Sequence, residues 1–193
     1  MKAGLNTVLV AITLSTQTVT GQIVPISQNR TLESSARGEG NVDSSFIPAD
    51  GFGRFADSLH SSLTFANGNS AWSAAEQVSF IGTRRLAGRG SADAHAAPPP
   101  TGASQGNGLT LFDVVFELSE TTPVRLDWTI TSSHAADSMA DIALIGPAGL
   151  ILLHRVGEFS NEGVLFDSGV FEQDLDPGVY TLEAFCAAGS YSL

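Results

Sequence analysis

Apolar and polar residues alternate along much of the second half of the chain, most clearly on either side of Thr122-Pro123. A period of two places successive side chains on opposite faces of a β-strand. We therefore predict two strands here, each with an apolar inward face, which the turn joins into a hairpin. The inward residues are Phe112, Val114, Phe116 and Leu118 before the turn, and Val124, Leu126, Trp128 and Ile130 after it.

Weaker forms of the same pattern come before this pair. Large apolar residues alternate with small or polar ones from residue 72 to residue 80, so we predict a strand whose larger side chains face the core. Residues 86–96 alternate as well, with small inward residues that allow another backbone to approach closely. The proline-rich stretch 97–108 is a long connection that we expect to cross between sheets. The predicted inward residues are Trp72, Ala74, Val78 and Phe80, and then Gly88, Gly90, Ala92, Ala94 and Ala96.

Two further apolar strands are predicted after Asp141, joined by the turn residues Gly146-Pro147-Ala148-Gly149. No stretch of helical length shows a 3.6-residue period. Strands separated by regularly spaced turns are typical of antiparallel sandwiches. The sequence therefore predicts an all-β fold, an antiparallel Greek-key or jelly-roll sandwich of about eight or nine strands.

The stretch from Leu175 to Tyr180 reads L-x-P-G-x-Y, which is typical of the tyrosine corner in Greek-key sandwiches. Pro177 restricts its own φ and Gly178 tolerates conformations that other residues avoid, so the chain turns tightly there. We expect the Tyr180 ring to enter the core and its hydroxyl to bond an upstream backbone group. The motif therefore concerns folding rather than chemistry.

The beginning of the chain differs from the rest. Lys2, the apolar run Leu5–Leu14 and the small residues that follow are typical of a secretory signal peptide, which we assign to residues 1–21. The alternative interpretation is an ordinary first β-strand. Residues 22–45 are predicted to be a polar N-terminal arm or an edge strand, and residues 46–193 to be the β-sandwich domain.

The charge balance narrows the range of partners. The chain has 20 acidic and 9 basic residues, a net charge of −11, and Lys2 is its only lysine. An anionic surface repels nucleic acid and anionic lipid, so we expect neither as a partner. The Leu5–Leu14 run is too short and too polar to span a bilayer, so we expect no membrane insertion after signal removal. The single cysteine, Cys186, cannot form an internal disulfide, and its place on an apolar strand face favours a core role.

Three stretches resemble a recurring group of bacterial exported β-sandwich proteins, many of which carry a PEP-CTERM sorting tail. They are FDVVFELSETTPVRLDWTI, ADIALIGPAGLILL and LDPGVYTLEAF, and the resemblance covers about residues 70–193. The chain is also loosely similar to bacterial pre-peptidase C-terminal domains, which fold as jelly rolls and accompany secreted proteases. It shows no PEP-CTERM tail. Where the pre-peptidase domains have a D-x-D-L pair, it reads Met139-Ala140-Asp141-Ile142 and lacks the first acid.

Residues that could carry chemistry lack the spacing that known sites use. The four histidines match neither H-E-x-x-H nor H-x-H, and no G-x-S-x-G elbow is present. Asp137 and Asp141 could contribute to a calcium site, but two carboxylates supply too few of the roughly six to eight oxygens that Ca²⁺ takes. We expect no cofactor beyond this candidate calcium and no enzyme activity. The histidines are His60, His95, His134 and His154.

These observations favour an exported, non-catalytic β-sandwich protein, secreted or located at the cell surface or in the periplasm. We expect a structural or binding role at the bacterial cell surface or in the extracellular matrix. Its expected partner is an extracellular polysaccharide or protein. One alternative is a carbohydrate-binding or accessory module of a secreted enzyme system, and another is a sandwich-fold polysaccharide-degrading enzyme. Exposure of Trp72 or Trp128 would favour the carbohydrate-binding module, because such modules present aromatic side chains to sugars. A cleft with paired carboxylates would favour the enzyme.

Overall fold

The computed structural model describes residues 6–17, 22–133, 138–158 and 165–192. These residues form twelve strands and one short 3₁₀ turn, Pro147–Gly149. The strands are β1 Asn6–Thr16, β2 Ile23–Gly38, β3 Asn41–Pro48, β4 Gly53–Thr64, β5 Ser70–Ile81, β6 Arg85–Ala96, β7 Ser104–Leu118, β8 Thr122–Ser133, β9 Ser138–Ile145, β10 Ile151–Glu158, β11 Leu165–Leu175 and β12 Gly178–Ser192.

The strands form two six-stranded antiparallel sheets that pack against each other. Sheet A has the order β11-β8-β1-β6-β5-β4, and sheet B has the order β10-β9-β12-β7-β2-β3. The predicted all-β sandwich is confirmed, with more strands than the eight or nine expected. The additional strands lie before residue 65, where weak alternation had left the assignment open.

The predicted hairpin between residues 112 and 130 is wrong, because its two strands belong to different sheets. β7 pairs with β2 and β12 in sheet B, whereas β8 pairs with β1 and β11 in sheet A. The predicted inward faces are nevertheless correct, since both strands turn their apolar residues toward the space between the sheets. Alternation reports which side chains are buried together, but it carries no information about the neighbouring strand.

Two predicted connections are confirmed. β9 and β10 pair antiparallel around the turn at Pro147–Gly149. The proline-rich segment after β6 carries the chain from sheet A to sheet B, but it is shorter than the predicted 97–108, because residues 104–108 already belong to β7.

β1 lies in the middle of sheet A, between β6 and β8. Its inward side chains belong to the core. This agrees with the alternative interpretation of the segment as an ordinary first β-strand. Residues 1–5 and 18–21 lie outside the described residues, and the signal peptide stays a prediction. The inward side chains are Val8, Val10, Ile12 and Leu14.

Residues 22–45 are integrated into sheet B. β2 pairs with β7 on one side and with β3 on the other, so β2 is an inner strand and β3 is the edge. The predicted domain start at residue 46 falls within β3. The residues on either side of that position therefore belong to one sheet.

The tyrosine corner is formed as predicted. The Tyr180 hydroxyl donates a hydrogen bond to the backbone carbonyl of Asp176 at 2.7 Å, and its buried ring stacks on Phe116 at 5.6 Å between centroids. Glycine is required at position 178 for space, since a Cβ there would lie 2.6 Å from the Pro147 side chain. The corner thus fixes how β12 enters sheet B beside the turn that joins β9 to β10.

The space between the sheets has two chemically different parts. The larger part, here called the apolar interior, lies between β1, β6 and β8 of sheet A and β7, β9 and β12 of sheet B. Its members include Val8, Val10, Ile12, Leu14, Phe112, Val114, Phe116, Leu118, Leu126, Trp128, Ile130, Leu144, Leu182 and Cys186. The other part, the polar interior, lies between β2, β4 and β5. Its members are Arg30, Ser34, Ser61, Ser73, Gln77 and Ser79, all buried.

The two sheets approach each other most closely beside the polar interior. A Cβ on Gly106 of β7 would overlap the backbone carbonyl oxygen of Trp72, and a Cβ on Gly108 would overlap that of Ala74. No side chain fits between the strands at these points. The gap is wide enough for large apolar residues only toward the other end of β7.

Candidate functional site: an exposed strip on sheet A

The outward face of β5 carries the residues that the sequence predicted to be inside. Trp72 is half-buried on this face, and Val78 and Phe80 are 42% and 45% exposed. The opposite face, with Ser73, Gln77 and Ser79, is the buried one. The predicted inward face of β5 is therefore wrong, and so is the prediction that Trp72 is a core residue.

Close packing of the sheets explains this reversal. The backbone of β7 at Gly106 and Gly108 lies against β5 at Trp72 and Ala74, and this leaves room only for small side chains on the inward face there. The polar side chains that point inward have hydrogen-bond partners there, although the Gln77 Oε1 atom has none. Ser73 exchanges hydrogen bonds with Ser34 and Ser35 of β2, and the Gln77 side-chain amide donates to the Leu111 carbonyl at 3.0 Å. Burial of polar groups is tolerated when they are hydrogen-bonded, so the larger residues are left outside.

The outward residues of β4, β5 and β6 form one continuous surface, here called the exposed strip. The register of these antiparallel strands sets its rows, because directly paired residues point to the same side of the sheet. At one end the Trp72 ring stacks between His60 and His95, at 6.1 and 5.9 Å between ring centroids. Both histidines are held by strands rather than by loops, so the three rings form a fixed aromatic platform.

At the other end of the strip is an open groove of about 620 Å³. Small residues form its floor, including Ala11 of β1 and Ala87 of β6. Phe80 lies beside Ala87 in the strand register, and its ring also covers Gly82, where a Cβ would lie 2.7 Å from it. The groove therefore has a shallow, rigid floor and an aromatic wall.

Three arginines surround this groove, namely Arg54, Arg85 and Arg89, with Glu76 as the one acidic residue in its lining. Arg85 and Arg89 lie on the same face of β6 on either side of Ala87, and Arg54 of β4 pairs directly with Phe80. The local charge of the lining is 3 − 1 = +2, in a chain of net charge −11. Within the described ranges, none of these three guanidinium groups forms an ion pair.

Arg125 is the contrasting case, on the same face of sheet A and in the same row as Arg85, with β1 between their strands. It binds Asp127 at 2.6 Å and also Glu172 of the neighbouring strand β11. These two carboxylates raise the pKa of Arg125 above its usual value through hydrogen bonding and charge. Its charge is thus neutralised within the protein, whereas the groove arginines remain available.

The middle of the exposed strip is polar and acidic. A smaller depression of about 300 Å³ lies between the two ends and includes Ala74, Glu76 and Asp93. It shares Glu76 and Ser91 with the groove, so the two concavities are adjacent. The strip therefore runs from an aromatic platform, through an acidic centre, to a cationic groove.

Of the two candidate calcium ligands, Asp137 and Asp141, the structure describes only Asp141. Asp137 lies outside the described residues. Asp141 lies on the outer face of sheet B, where its carboxylate is 3.1 Å from the His154 Nε2 atom. In the described part of the chain, no three His, Cys, Asp or Glu side chains are grouped as a metal site would require. Calcium binding stays a prediction.

Two acidic residues near Asp141 were missed by sequence reasoning. Asp113 of β7 pairs directly with Glu183 of β12 on the outer face of sheet B. Partial burial raises the pKa of both carboxyls, and the nearby charges of Asp113 and Asp141 raise that of Glu183 further. The alternation placed both residues outward, but only the strand pairing shows that they face each other.

Cys186 lies in the apolar interior. It is fully buried, and burial raises the pKa of its thiol to about 12. The thiol is therefore protonated at physiological pH and is not a reactive nucleophile. Its nearest polar neighbours are the Thr110 hydroxyl at 3.7 Å and the Val8 carbonyl at 3.8 Å.

In the ranges that can be described, no helix is long and apolar enough to cross a bilayer. Comparison of the chain with protein-family models, with curated proteins and with solved structures gives no match in any of the three.

Proposed function

We propose that this protein is an exported, non-catalytic β-sandwich that binds a partner outside the cell through the exposed strip of sheet A. The observation that carries the proposal is the outward face of β5, which presents Trp72 and Phe80 to solvent from a rigid sheet. Aromatic side chains on one rigid sheet face provide apolar contact area for a ligand. A binding role makes use of the surface that close packing behind β5 has created.

The positions of the nucleophilic side chains support a non-catalytic role. Cys186 and the hydroxyls of Ser34 and Ser73 are buried between the sheets, where they contact groups of the protein itself. Catalysis requires a nucleophile or base that a substrate can reach.

A second candidate function, a carbohydrate-binding module, is favoured by Trp72. The exposed strip holds its indole between two imidazole rings, which limits its rotation. These two rings cover both faces of the indole, so its exposed edge is the part that a sugar can contact. A ring whose rotation is limited loses little entropy in such a contact. Phe80 lies eight residues farther along the same face of β5, about 26 Å away at the rise of a strand. Two aromatic contacts at that distance suit an extended chain better than a small molecule.

Export is the second element of the proposal, and it rests on Lys2 and the Leu5–Leu14 run. Part of the same run forms β1, so the exported protein keeps this central strand only if the leader is not cleaved. N-terminal sequencing of protein recovered from the native host tests both points. A cytoplasmic product with an intact Met1 would contradict export.

The binding function is tested with a polysaccharide panel, using the full-length chain, a Trp72→Ala variant and a Phe80→Ala variant. We expect both variants to lose retention on the polysaccharide that the parent protein binds. Phe46→Ala is the matched control, because Phe46 is a 57% exposed phenylalanine on sheet B. If Phe46→Ala weakens binding as much as Phe80→Ala, the exposed strip is not the binding surface.

A further inference from the structure

We propose that the groove at the Phe80 end of the exposed strip binds the carboxylate groups of an acidic polysaccharide. The inference rests on the proposed binding function and specifies its ligand. Arg54, Arg85 and Arg89 converge on this groove, and each belongs to a strand. An arginine fork binds a carboxylate with two parallel hydrogen bonds, which gives both affinity and orientation.

The charge distribution supports an anionic ligand. Three guanidinium groups around one groove repel each other, and no carboxylate in the described part of the chain forms an ion pair with them. A chain with 20 acidic residues has many carboxylates that could neutralise them, as Asp127 and Glu172 neutralise Arg125. The groove is thus a local positive region on an acidic protein, which would attract a carboxylate and orient it.

The shape and the aromatic wall support a sugar ring as the carrier of that carboxylate. Phe80 lies between Arg54 of β4 and Ala87 of β6, so one ligand can contact an aromatic face and a guanidinium group at the same time. The small floor residues leave room for a ring rather than only for a side-chain-sized ion. A uronic acid has both features, since its pyranose ring has an apolar face and its C6 is a carboxylate.

The acidic centre of the strip limits how the charges are arranged along the ligand. Glu76 and Asp93 would repel a second carboxylate placed there, but they accept hydrogen bonds from neutral sugar hydroxyls. The ligand that fits best carries its carboxylates in the groove and neutral rings toward Trp72. The site therefore distinguishes acidic saccharides by the position of their charges.

The test is isothermal titration calorimetry on the full-length protein with four probes. They are a galacturonate oligomer of only two rings, which can lie in the groove without reaching the acidic centre, its methyl-esterified form, a glucose oligomer and polyglutamate. We expect the galacturonate oligomer to bind, esterification to weaken binding, and higher salt to weaken it as well. Arg85→Gln and Arg89→Gln should each reduce affinity by about tenfold or more, the usual effect of losing a charge-assisted hydrogen bond. Arg37→Gln is the control for net charge, because Arg37 is exposed on sheet B.

The outcomes separate this inference from the proposed function. If only the glucose oligomer binds and Trp72→Ala abolishes its binding, the binding function stands and the acidic-ligand inference is overturned. Polyglutamate binding equal to that of the galacturonate oligomer also overturns the inference, in favour of an acidic protein partner. If Arg37→Gln weakens binding as much as Arg89→Gln, the groove is not the site.

If none of the probes binds, both proposals fail. Unchanged melting temperatures of the arginine variants exclude loss of folding as the cause of any effect.

Discussion

The apolar interior and the polar interior show how one sandwich uses two different ways to fill the space between its sheets. β7 passes through both, with Phe112, Val114 and Phe116 in the apolar interior and Gly106 and Gly108 at the close approach to β5. Where the sheets are far apart, large apolar side chains interdigitate. Where the backbones nearly touch, only small residues fit, and hydrogen bonds between the sheets replace apolar contact. The spacing of the sheets therefore decides which chemistry the inward residues can have.

Arg30 is the largest buried group of the polar interior. Its guanidinium donates to the Gly51 and Gly53 carbonyls, at 2.7 and 3.0 Å, to the Ser79 hydroxyl and to the Gln28 side chain. Burial lowers its pKa from the usual value. The bonds connect β2 of sheet B with β5 and with the segment between β3 and β4. Arg30 thus holds together the edge of the sandwich that has few large apolar contacts.

The largest expected effect is on the apolar interior and comes from removing β1. A chain that begins at residue 22 lacks the strand between β6 and β8, together with its four inward apolar side chains. We expect no cooperative unfolding transition for this chain by circular dichroism, because two strands lose their partner and the core loses one wall. A truncated chain as stable as the full one would show that β1 is dispensable. That result is what we would expect if residues 1–21 were a signal peptide that is cleaved off.

The next effect comes from a cavity in the apolar interior. Phe116→Ala removes a fully buried ring that stacks on Tyr180. We expect a loss of about 3–5 kcal/mol in the free energy of unfolding, measured by urea denaturation. Phe46→Ala on the exposed face of β3 is the control and should change stability by less than about 0.5 kcal/mol.

In the polar interior the informative change is Arg30→Met. Methionine fills a similar volume but leaves the Gly51 and Gly53 carbonyls without their donor. We expect a loss of about 2–4 kcal/mol in urea, since four hydrogen bonds of a charged group are lost and the buried Ser79 hydroxyl is left without this partner. Arg37→Met, an exposed arginine on the same strand, should be close to neutral. If Arg30→Met were as stable as the parent, ordinary apolar packing could replace the hydrogen bonds and the two interiors would not differ in this respect.

Tyr180→Phe tests the corner at the margin of the apolar interior. It removes the hydrogen bond to the Asp176 carbonyl and keeps the ring on Phe116. We expect a loss of about 1–2 kcal/mol, smaller than for Arg30→Met because only one hydrogen bond is lost. Equal urea midpoints for the variant and the parent would refute a stabilising role for this bond.

The smallest effect concerns the outer face of sheet B and depends on pH. The folded-state pKa of Glu183 is raised by burial and by the charges of Asp113 and Asp141, and lowered somewhat by His154. Above that pKa the ionised carboxyl destabilises the native state. Below the unfolded value of about 4.3 both states carry the proton, and the penalty disappears. Glu183→Gln should therefore raise stability at pH 7 by less than about 1 kcal/mol and have no effect near pH 3. A stabilisation that is the same at both pH values would point to packing instead.

Short-range patterns in the sequence predicted the local features correctly. The tyrosine corner follows from the six neighbouring positions 175–180, since Pro177, Gly178 and Tyr180 each have a role that depends on the adjacent backbone. The inward faces of β7, β8 and β12 follow from alternation, because one face of each carries nearly all the large apolar residues. The sandwich class follows from the number of such strands. None of these conclusions depends on knowing which strands are neighbours.

Strand pairing and the spacing of the sheets were decided only by the tertiary structure. The sequence indicated that residues 112–118 and 124–130 were strands, but a short turn can lead either into the same sheet or across to the other one. On β5 the alternation was visible, but it did not show which of the two faces is buried. Trp72 and Phe80 are apolar enough to be core residues, so the wrong face was predicted to be inward. What turned Trp72 outward is the backbone of β7 at Gly106 and Gly108, far away in the sequence. Beside Phe80 the inward space is filled by the hydrogen-bonded pair Arg30 and Ser79. The exposed strip exists because the space behind β5 is too narrow at one end, and occupied by polar side chains at the other, for the aromatic residues that β5 carries.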